Sequence, residues 1–328
     1  MISIIIVNYN GKKWLKRLLD SLVSQTYKNY EIIVVDNHSK DDSVSFIKEN
    51  YGETIRLVIS DKNRGFAGGN NLGVLHAKGR YLLFMNTDVW VETNFLEQLW
   101  NFYKNHSYDV ISPLEADYNA LFKGKPYISA IDFLGHPTHL WGDYPFDQSF
   151  YLTGSCFFVS RQIYQESYGL DEDFFMYSEE VDWFWRLTLF GKSFSYVSDI
   201  FYYHAKKDSA KKISYNIFLW RNENILQMLL KNYAWYNLLW IIPIYFLQNF
   251  FEVLFFLVIF RPDISYSYIQ GWVFNILHLK KIIEKRSLIQ RRRVVSDFQM
   301  MKKMYFGFGK IKHLVSFLNH GQQKRKNS

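Results

Sequence analysis

The chain has 328 residues, of which 48% are hydrophobic and 19% aromatic, so it can bury one or two domain cores. Its single cysteine, Cys156, excludes an intrachain disulfide framework and favours a reducing compartment. The net charge is +8, and 14 of the 39 basic residues but only two of the 31 acidic residues lie in residues 280–328. The excess positive charge therefore belongs to the C-terminal tail, which suits a nucleic acid or an anionic membrane surface.

Apolar runs and helical stripes alternate through residues 1–113. Five strands are predicted, at Ile2–Val7, Glu31–Val35, Arg56–Ile59, Tyr81–Met85 and Asp109–Ser112. Helices are predicted between them, at 14–23, from Asp41 or Asp42 to about 51, after Gly65, and at 95–103. The opening run lacks a basic region and a cleavage site, so it is interpreted as the first strand and not as a signal peptide. This alternation predicts a mainly parallel α/β sheet covered by helices on both faces.

The rest of the chain is predicted in two parts. Residues 114–152 favour long loops and short strands. Order returns with a strand at Ser155–Ser160, a helix at Glu179–Phe190 and a strand at Ser193–Val197, with His204 just beyond it. We therefore predict two halves of one domain at 1–113 and 114–230, followed by a helical, basic region at 231–328.

Residues 233–260 form an apolar, aromatic stretch that is long enough to cross a bilayer. Pro243, Gln248, Asn249 and Glu252 interrupt it, which favours helices in the membrane interface, such as a re-entrant pair, over one clean span. The alternative is a buried helical pair in a soluble domain. The basic run that follows favours the membrane. Residues 318–328 are polar and are expected to be disordered.

Polar residues end three of the predicted strands. The first ends at Asn8-Tyr9-Asn10, the second at Asp36-Asn37 and the fourth at Asn86-Thr87-Asp88. Asn and Asp are common turn residues, so each end alone is weak evidence. In a parallel sheet, however, these ends share one edge and can surround a single ligand.

The glycine-rich segment NRGFAGGNNLG, residues 63–73, has neither the Gly-Lys-Ser/Thr of a P-loop nor the position of a dinucleotide fingerprint. The two common phosphate cradles are therefore disfavoured. What remains is a nucleotide across the strand ends, with its diphosphate held by a divalent cation on Asp88, because such ions prefer oxygen ligands.

A second cluster of acids lies in FFMYSEEVDWFWRL, residues 174–187. Glu179, Glu180 and Asp182 begin a helix, where the helix dipole by itself favours acidic side chains. Their aromatic surroundings could also raise a carboxyl pKa, as a general base requires. Glu179, Asp182 and Arg186 are predicted to share one face of this helix, so Arg186 is expected to orient or neutralise an acid, which leaves Glu180 freer to face a substrate.

Six blocks in order, IIIVNYNG, VVDNHS, NRGFAGGNN, NTDV, GSCFFVSR and EEVDWFWRL, resemble family 2 glycosyltransferases, in their rhamnosyltransferase-like branch. The resemblance covers about residues 1–230. It implies a GT-A fold, a nucleotide-sugar donor, a divalent cation (Mg²⁺ or Mn²⁺) and inversion at the anomeric carbon.

By matching position, the resemblance implies a role for each block. The donor nucleotide would contact Asn8, Tyr9, Asp36, Asn63, Arg64, Asn71 and Asn86. The acceptor or donor sugar would lie near Gly154, Ser155 and Trp183, and the metal would bind Asp88 and His204. Catalysis would fall to Glu180 as base, with Glu179 as second choice and Asp182 beside them. Asn86 and Glu179-Glu180 depart from the commoner Asp and Glu-Asp of the family.

The C-terminal third resembles family members that act at membranes. It implies a glycan or polyprenyl-diphosphate-linked acceptor at the cytoplasmic face of the plasma membrane, where basic residues would meet anionic lipid. The donor is expected to be a dTDP-, UDP- or GDP-sugar, with dTDP-rhamnose first. The alternatives are a nucleotidyltransferase, a non-catalytic subunit of a polysaccharide assembly complex, and a nucleic-acid binder, which the acidic core disfavours.

Overall fold

The computed structural model describes residues 1–117, 127–141, 144–205, 214–305 and 307–310. The strands are β1 (Ile2–Asn8), β2 (Tyr30–Asp36), β3 (Ile55–Ile59), β4 (Tyr81–Asn86), β5 (Val89–Trp90), β6 (Val110–Asp117), β7 (Tyr127–Ile131), β8 (Pro137–Trp141), β9 (Cys156–Ser160) and β10 (Phe194–His204). The helices are α1 (Lys12–Val23), α2 (Ser43–Tyr51), α3 (Gly65–His76), α4 (Phe95–Asn105), α5 (Arg161–Glu166), α6 (Glu179–Leu189), α7 (Tyr215–Asn232), α8 (Trp235–Val258), α9 (Pro262–Leu277), α10 (Leu279–Arg292) and α11 (Asp297–Met301). The tail at 318–328 lies outside the described residues.

Eight strands form one mixed sheet in the order β3-β2-β1-β4-β9-β6-β10-β5. The first four are parallel, as predicted, and β6 and β10 are parallel to each other. Strand β9 runs antiparallel to both β4 and β6, and β5 runs antiparallel to β10. The carboxyl ends of β1, β2 and β4 therefore share an edge with the start of β9. We call this the site edge.

The glycines of α3 explain why a segment with poor helix propensity is helical. A Cβ built on Gly69 would lie 2.7 Å from Val7 Cγ1, and one built on Gly73 would lie 2.5 Å from Ile5 Cγ2. Only glycine lets the helix approach β1 this closely, so packing against the sheet outweighs the cost of about 1 kcal/mol for each helical glycine.

Strand β10 is longer than the sequence predicts. It runs to His204, with a register shift against β6 between Val197 and Phe201. The prediction that His204 lies beyond the strand is therefore wrong, because this irregularity hides the second half of the strand from a period-two pattern. As a result His204 is held in the sheet, opposite Val89 of β5.

The described residues divide into two compact units. The sheet unit lies within Met1–Gly124, Leu152–Leu187 and Lys192–Ile213. The helical unit lies within Lys125–Tyr151, Thr188–Gly191 and Ser214–Ser328, and it contains the β7–β8 hairpin and α7–α11. These bounds differ from the predicted segments 1–113, 114–230 and 231–328.

In the helical unit, α8 is one continuous helix of 24 residues with Pro243 inside it. The predicted break into a re-entrant pair is wrong, because Gln248, Asn249 and Glu252 lie along one side of a continuous helix, which packs within the helical unit. Asn249 is fully buried, and Glu252 accepts hydrogen bonds from Tyr268 of α9 and from Lys310. By length and composition alone α8 could cross a membrane, and 22% of its most apolar window is buried.

Candidate active site

The ends of β1 and β2 form a polar corner on the site edge. Asn8 Nδ2 donates to Asp36 Oδ1 at 3.0 Å and to Ser39 Oγ at 3.1 Å, and the Ser39 amide donates to Asp36 Oδ2 at 3.0 Å. Asn8 and Asp36 are buried, whereas Tyr9 is 48% exposed. The two predicted nucleotide residues therefore contact each other, because the register places Asn8 directly beside Asp36.

The loop before α3 is fixed against the end of β2. Asn37 Nδ2 donates to Asn63 Oδ1 at 3.0 Å, and the Arg64 amide donates to Asn37 Oδ1 at 2.9 Å. Arg64 Nη2 contacts Asp61 at 2.7 Å. At the next residue, Gly65, a positive φ of 68° turns the chain into the helix. Asn63 and Arg64 thus lie on a preformed loop beside the corner.

Asp88 and His204 meet although they lie far apart in the chain. His204 Nε2 lies 3.4 Å from Asp88 Oδ1, and Nδ1 lies 3.3 Å from Glu115 Oε2, the latter without hydrogen-bond alignment. Burial lowers the pKa of His204, but the contacts with Asp88 and Glu115 more than reverse this and raise the pKa to about 9. The imidazole is therefore shared between two carboxylates.

Asp88 and His204 place a carboxylate oxygen and an imidazole nitrogen close together, and a divalent cation accepts both kinds of ligand once the imidazole has lost its proton. Neighbouring ligand atoms on a six-coordinate ion with bonds of about 2.1 Å lie about 3 Å apart, close to the 3.4 Å observed here. Within the described part of the chain, no group of three or more His, Cys, Asp and Glu side chains is arranged to hold an ion. Any ion here would therefore need further ligands from a substrate or water.

A line of hydroxyl groups connects β9 to this pair. Ser155 Oγ lies 2.7 Å from Thr153 Oγ1 and 2.6 Å from the Tyr202 hydroxyl, which is 3.5 Å from Glu115 Oε2. The Asn86 amide donates to the Ser155 carbonyl at 3.0 Å. Ser155 is buried, so its hydroxyl orders the site edge rather than facing solvent.

The two predicted bases at the start of α6 have different surroundings. Glu179 is 5% exposed, and its Oε2 has no hydrogen-bond partner among the described residues. Burial and the neighbouring charge of Glu180 raise the pKa of Glu179 well above its usual value. Glu180 is half-buried, and a methyl group built on Gly154 would lie 3.5 Å from its Cγ. Gly154 and Glu180 are therefore neighbours.

Asp182 and Trp183 are part of the core of the sheet unit. Asp182 is fully buried and accepts from Arg186 Nε at 2.9 Å, so Arg186 pairs with an acid as predicted. Trp183 is also fully buried, and its Nε1 donates to Ser167 Oγ at 2.8 Å. Both positions contradict direct roles in catalysis or sugar binding, because neither side chain is accessible to a substrate.

Asn71 is likewise engaged by the protein. Its amide nitrogen donates to the Leu170 carbonyl at 2.9 Å and to Glu172 at 3.0 Å, and its oxygen accepts from the Tyr164 hydroxyl at 2.6 Å. In this structure it therefore holds the 164–172 segment against α3.

The family model for glycosyl transferase family 2 matches residues 3–168. The chain belongs to this family. A β-1,3-glucosyltransferase of Escherichia coli, WfaP, is 33% identical over 140 residues, which are 38% of this chain and 56% of that protein. The hexosyltransferase Agl10 of Haloferax volcanii is 25% identical over 201 residues, 56% of this chain and 61% of that one. The chain thus spans less than two thirds of either relative.

Solved structures show the same fold. GalNAc-T7 with UDP, GalNAc and Mn²⁺ gives a TM-score of 0.63 at 17% identity, over 72% of this chain and 49% of that one. TarS of S. aureus with UDP gives 0.52 at 17% identity, over 70% and 65%. The expected GT-A fold with a C-terminal helical region is therefore confirmed, and the family is one of transferases.

Sequence reasoning missed several residues of the site. Ser39 follows β2 in the VVDNHS block and could have been found there. No sequence pattern marks Glu115 and Tyr202, because they enter the site through the pairing of β6 with β10, in which Tyr202 lies opposite Glu115. Their contact depends on a register that follows an irregularity in the strand.

Proposed function

We propose that the chain is an inverting glycosyltransferase that moves a sugar from a nucleoside-diphosphate donor to a hydroxyl of a glycan or lipid-linked acceptor in cell-surface polysaccharide synthesis. The observation that carries this proposal is the contact of Asp88 with His204 on the site edge that also holds the Asn8–Asp36 corner. A nucleotide at this corner would direct its diphosphate toward Asp88.

Glu180 is proposed as the base. It would take the proton of the acceptor hydroxyl as the oxygen bonds to the anomeric carbon from the face opposite the diphosphate. The bond from that carbon to the diphosphate oxygen breaks, and the nucleoside diphosphate leaves with the electron pair. One displacement of this kind inverts the anomeric centre. Glu179 is a poorer candidate because its carboxyl is buried.

Asp88 and His204 would hold a divalent cation, Mg²⁺ or Mn²⁺, which would supply positive charge to the leaving diphosphate. Asn8, Tyr9, Asp36, Asn63 and Arg64 are proposed to bind the nucleotide. Asn86, at the end of β4, would lie beside them. Gly154 is proposed to lie beside the sugar, because a methyl group built on it would lie 3.5 Å from Glu180 Cγ.

The identities of the donor and of the acceptor are proposed separately. Resemblance favours dTDP-rhamnose, whereas the relative WfaP is named for UDP-Glc and the neighbour TarS was solved with UDP. The acceptor is proposed to be a polyprenyl diphosphate-linked glycan, as the name of WfaP specifies for that protein. Attachment to the cytoplasmic face of the plasma membrane would bring such an acceptor to the site, and no nucleic-acid partner is proposed.

The first experiment compares E180Q with E179Q. Thermal shifts with dTDP-, UDP- and GDP-sugars, with and without Mn²⁺, identify the donor, since a ligand at 100 times its Kd adds about 2.7 kcal/mol to the folded state. We expect E180Q to lose about 10²–10⁴-fold in transfer while keeping the donor shift, and E179Q to stay near the wild-type rate. Near-normal transfer by E180Q would refute the assignment. A folded protein with no shift for any nucleotide would instead favour a non-catalytic subunit.

A further inference from the structure

One face of α8 is apolar and exposed along its whole length. Leu239 is 69% exposed near the start of the helix, Phe251 60% in the middle and Val258 74% at the end. Phe260, just beyond the helix, is 90% exposed. Soluble proteins rarely expose a contiguous apolar surface of this kind, so the face indicates a partner.

The opposite side of α8 carries polar residues among buried Ile241, Tyr245 and Phe256, and it packs within the helical unit. Glu252 accepts from Gln248 Nε2 and from Lys310 Nζ, each at 2.7 Å, and from the Tyr268 hydroxyl of α9. Asn249, one residue after Gln248, is fully buried. The side of α8 that carries Glu252 is therefore packed against α9 and the segment around residue 310.

This packing opposes a transmembrane position for α8. Helix α9 has 16 residues and would span about 24 Å, which is less than the roughly 30 Å of a bilayer core. It also begins beside the exposed ion pair of Arg261 and Asp263, 2.8 Å apart. A crossing of the membrane by α8 would carry Glu252 and Lys310 into the hydrocarbon or strip them of their partners.

The next helix supplies the matching charge. In α10 the basic residues Lys280, Lys281, Arg291 and Arg292 are exposed, and so are the apolar residues Leu279, Ile283 and Leu288. Basic residues beside exposed apolar ones are typical of a helix that lies at the surface of an anionic bilayer. The charge favours lipid over a second copy of this chain, because a second copy would bring like charges together.

We infer that α8, α9 and α10 form a one-sided docking surface for an anionic bilayer, on which α8 lies in the interface with both ends on the cytoplasmic side. The inference deepens the membrane attachment proposed above and gives it an orientation. In this orientation the exposed apolar face of α8 contacts lipid, and the side that carries Glu252 contacts the rest of the helical unit.

Single cysteines near the start of α8 and just beyond its end, in the first turn of α9, test the orientation in the full chain. Tyr236→Cys and Asp263→Cys introduce the thiols, and the native Cys156 is buried. A membrane-impermeant maleimide is applied to sealed inside-out and right-side-out vesicles. We expect both positions to label preferentially in inside-out vesicles. Opposite preferences at the two positions would show a span and overturn the inference.

Flotation of the purified chain with vesicles tests the surface itself. On vesicles containing phosphatidylglycerol, we expect F251E to lower the bound fraction about tenfold, and the matched variant I59E, at a 56% exposed apolar residue of the sheet unit, to leave it unchanged. K280E with K281E should reduce binding to these vesicles more than binding to neutral phosphatidylcholine vesicles. Equal flotation of F251E and wild type, or a wild-type dimer that F251E dissociates, would overturn the inference.

Activity separates this inference from the proposed function. Transfer to a water-soluble acceptor should be the same for F251E and wild type, because Phe251 lies outside the candidate site. If neither F251E nor wild type transfers sugar, that result counts against the proposed function. The vesicle experiments would still show whether the docking surface binds a membrane.

Discussion

Replacing Asp182 with asparagine separates a structural from a catalytic role for this acid. Asp182 is fully buried and pairs with Arg186, which is 3% exposed and also donates from Nη2 to the Gly169 carbonyl at 2.8 Å. Asparagine removes the negative charge and leaves the guanidinium charge buried without compensation. Breaking a buried pair in this way costs about 3–5 kcal/mol, and asparagine can still accept one hydrogen bond, so we expect about 3 kcal/mol.

At roughly 2–4 °C for each kcal/mol, the melting temperature of D182N should fall by about 6–12 °C. Fluorescence of the buried Trp183 and Trp185 in α6 reports unfolding in heat or urea. E53Q, at an exposed residue, is the control and should stay within about 0.5 kcal/mol of wild type. Below its melting temperature D182N should keep the wild-type KM and kcat. An unchanged melting temperature with a hundredfold loss of kcat would refute the structural role.

Three further substitutions test other parts of the site. Because burial raises the pKa of Glu179, this group ionises in the unfolded state before it does in the folded state as pH rises above 4.5, so wild type loses stability that E179Q keeps. The difference in melting temperature between E179Q and wild type should therefore widen toward pH 8. Parallel plots of melting temperature against pH for the two proteins would contradict this. G65A places a methyl group 2.0 Å from the Phe175 carbonyl oxygen at a φ of 68°, so it should lower the free energy of unfolding by more than the roughly 1–2 kcal/mol that a left-handed residue costs. An unchanged midpoint of urea unfolding would contradict the conformation described for the loop before α3. E115Q removes the carboxylate 3.3 Å from His204 Nδ1, so the affinity for Mn²⁺, measured by electron paramagnetic resonance with UDP present, should fall about tenfold or more. The affinity for UDP without metal should stay constant. Equal Mn²⁺ affinities of E115Q and wild type would exclude a role of Glu115 in orienting His204 for the metal.

Local patterns in the sequence were sufficient for the first half of the sheet unit. Strands β1, β2 and β4 contain continuous apolar runs because both of their faces are covered, and each ends at the polar residue that the pattern marks. Parallel strands then place Asn8 and Asp36 side by side, so this corner follows from periodicity and sheet geometry alone.

The rest of the site depends on tertiary contacts. Asp182 and Glu180 lie two residues apart in one helix, yet one pairs with Arg186 in the core and the other lies against Gly154, a difference that only packing decides. In α8 the polar residues that suggested a break instead lie on the buried side of one continuous helix, where Glu252 accepts a hydrogen bond from Tyr268 of α9.

The sequence by itself determined the family, the order of the first strands and the corner at their ends, since these depend on neighbouring residues and on regular periods. Only the tertiary structure decided that Glu115 would meet His204. That contact requires the register of two strands distant in the chain, and the register is set by an irregularity that no local pattern encodes.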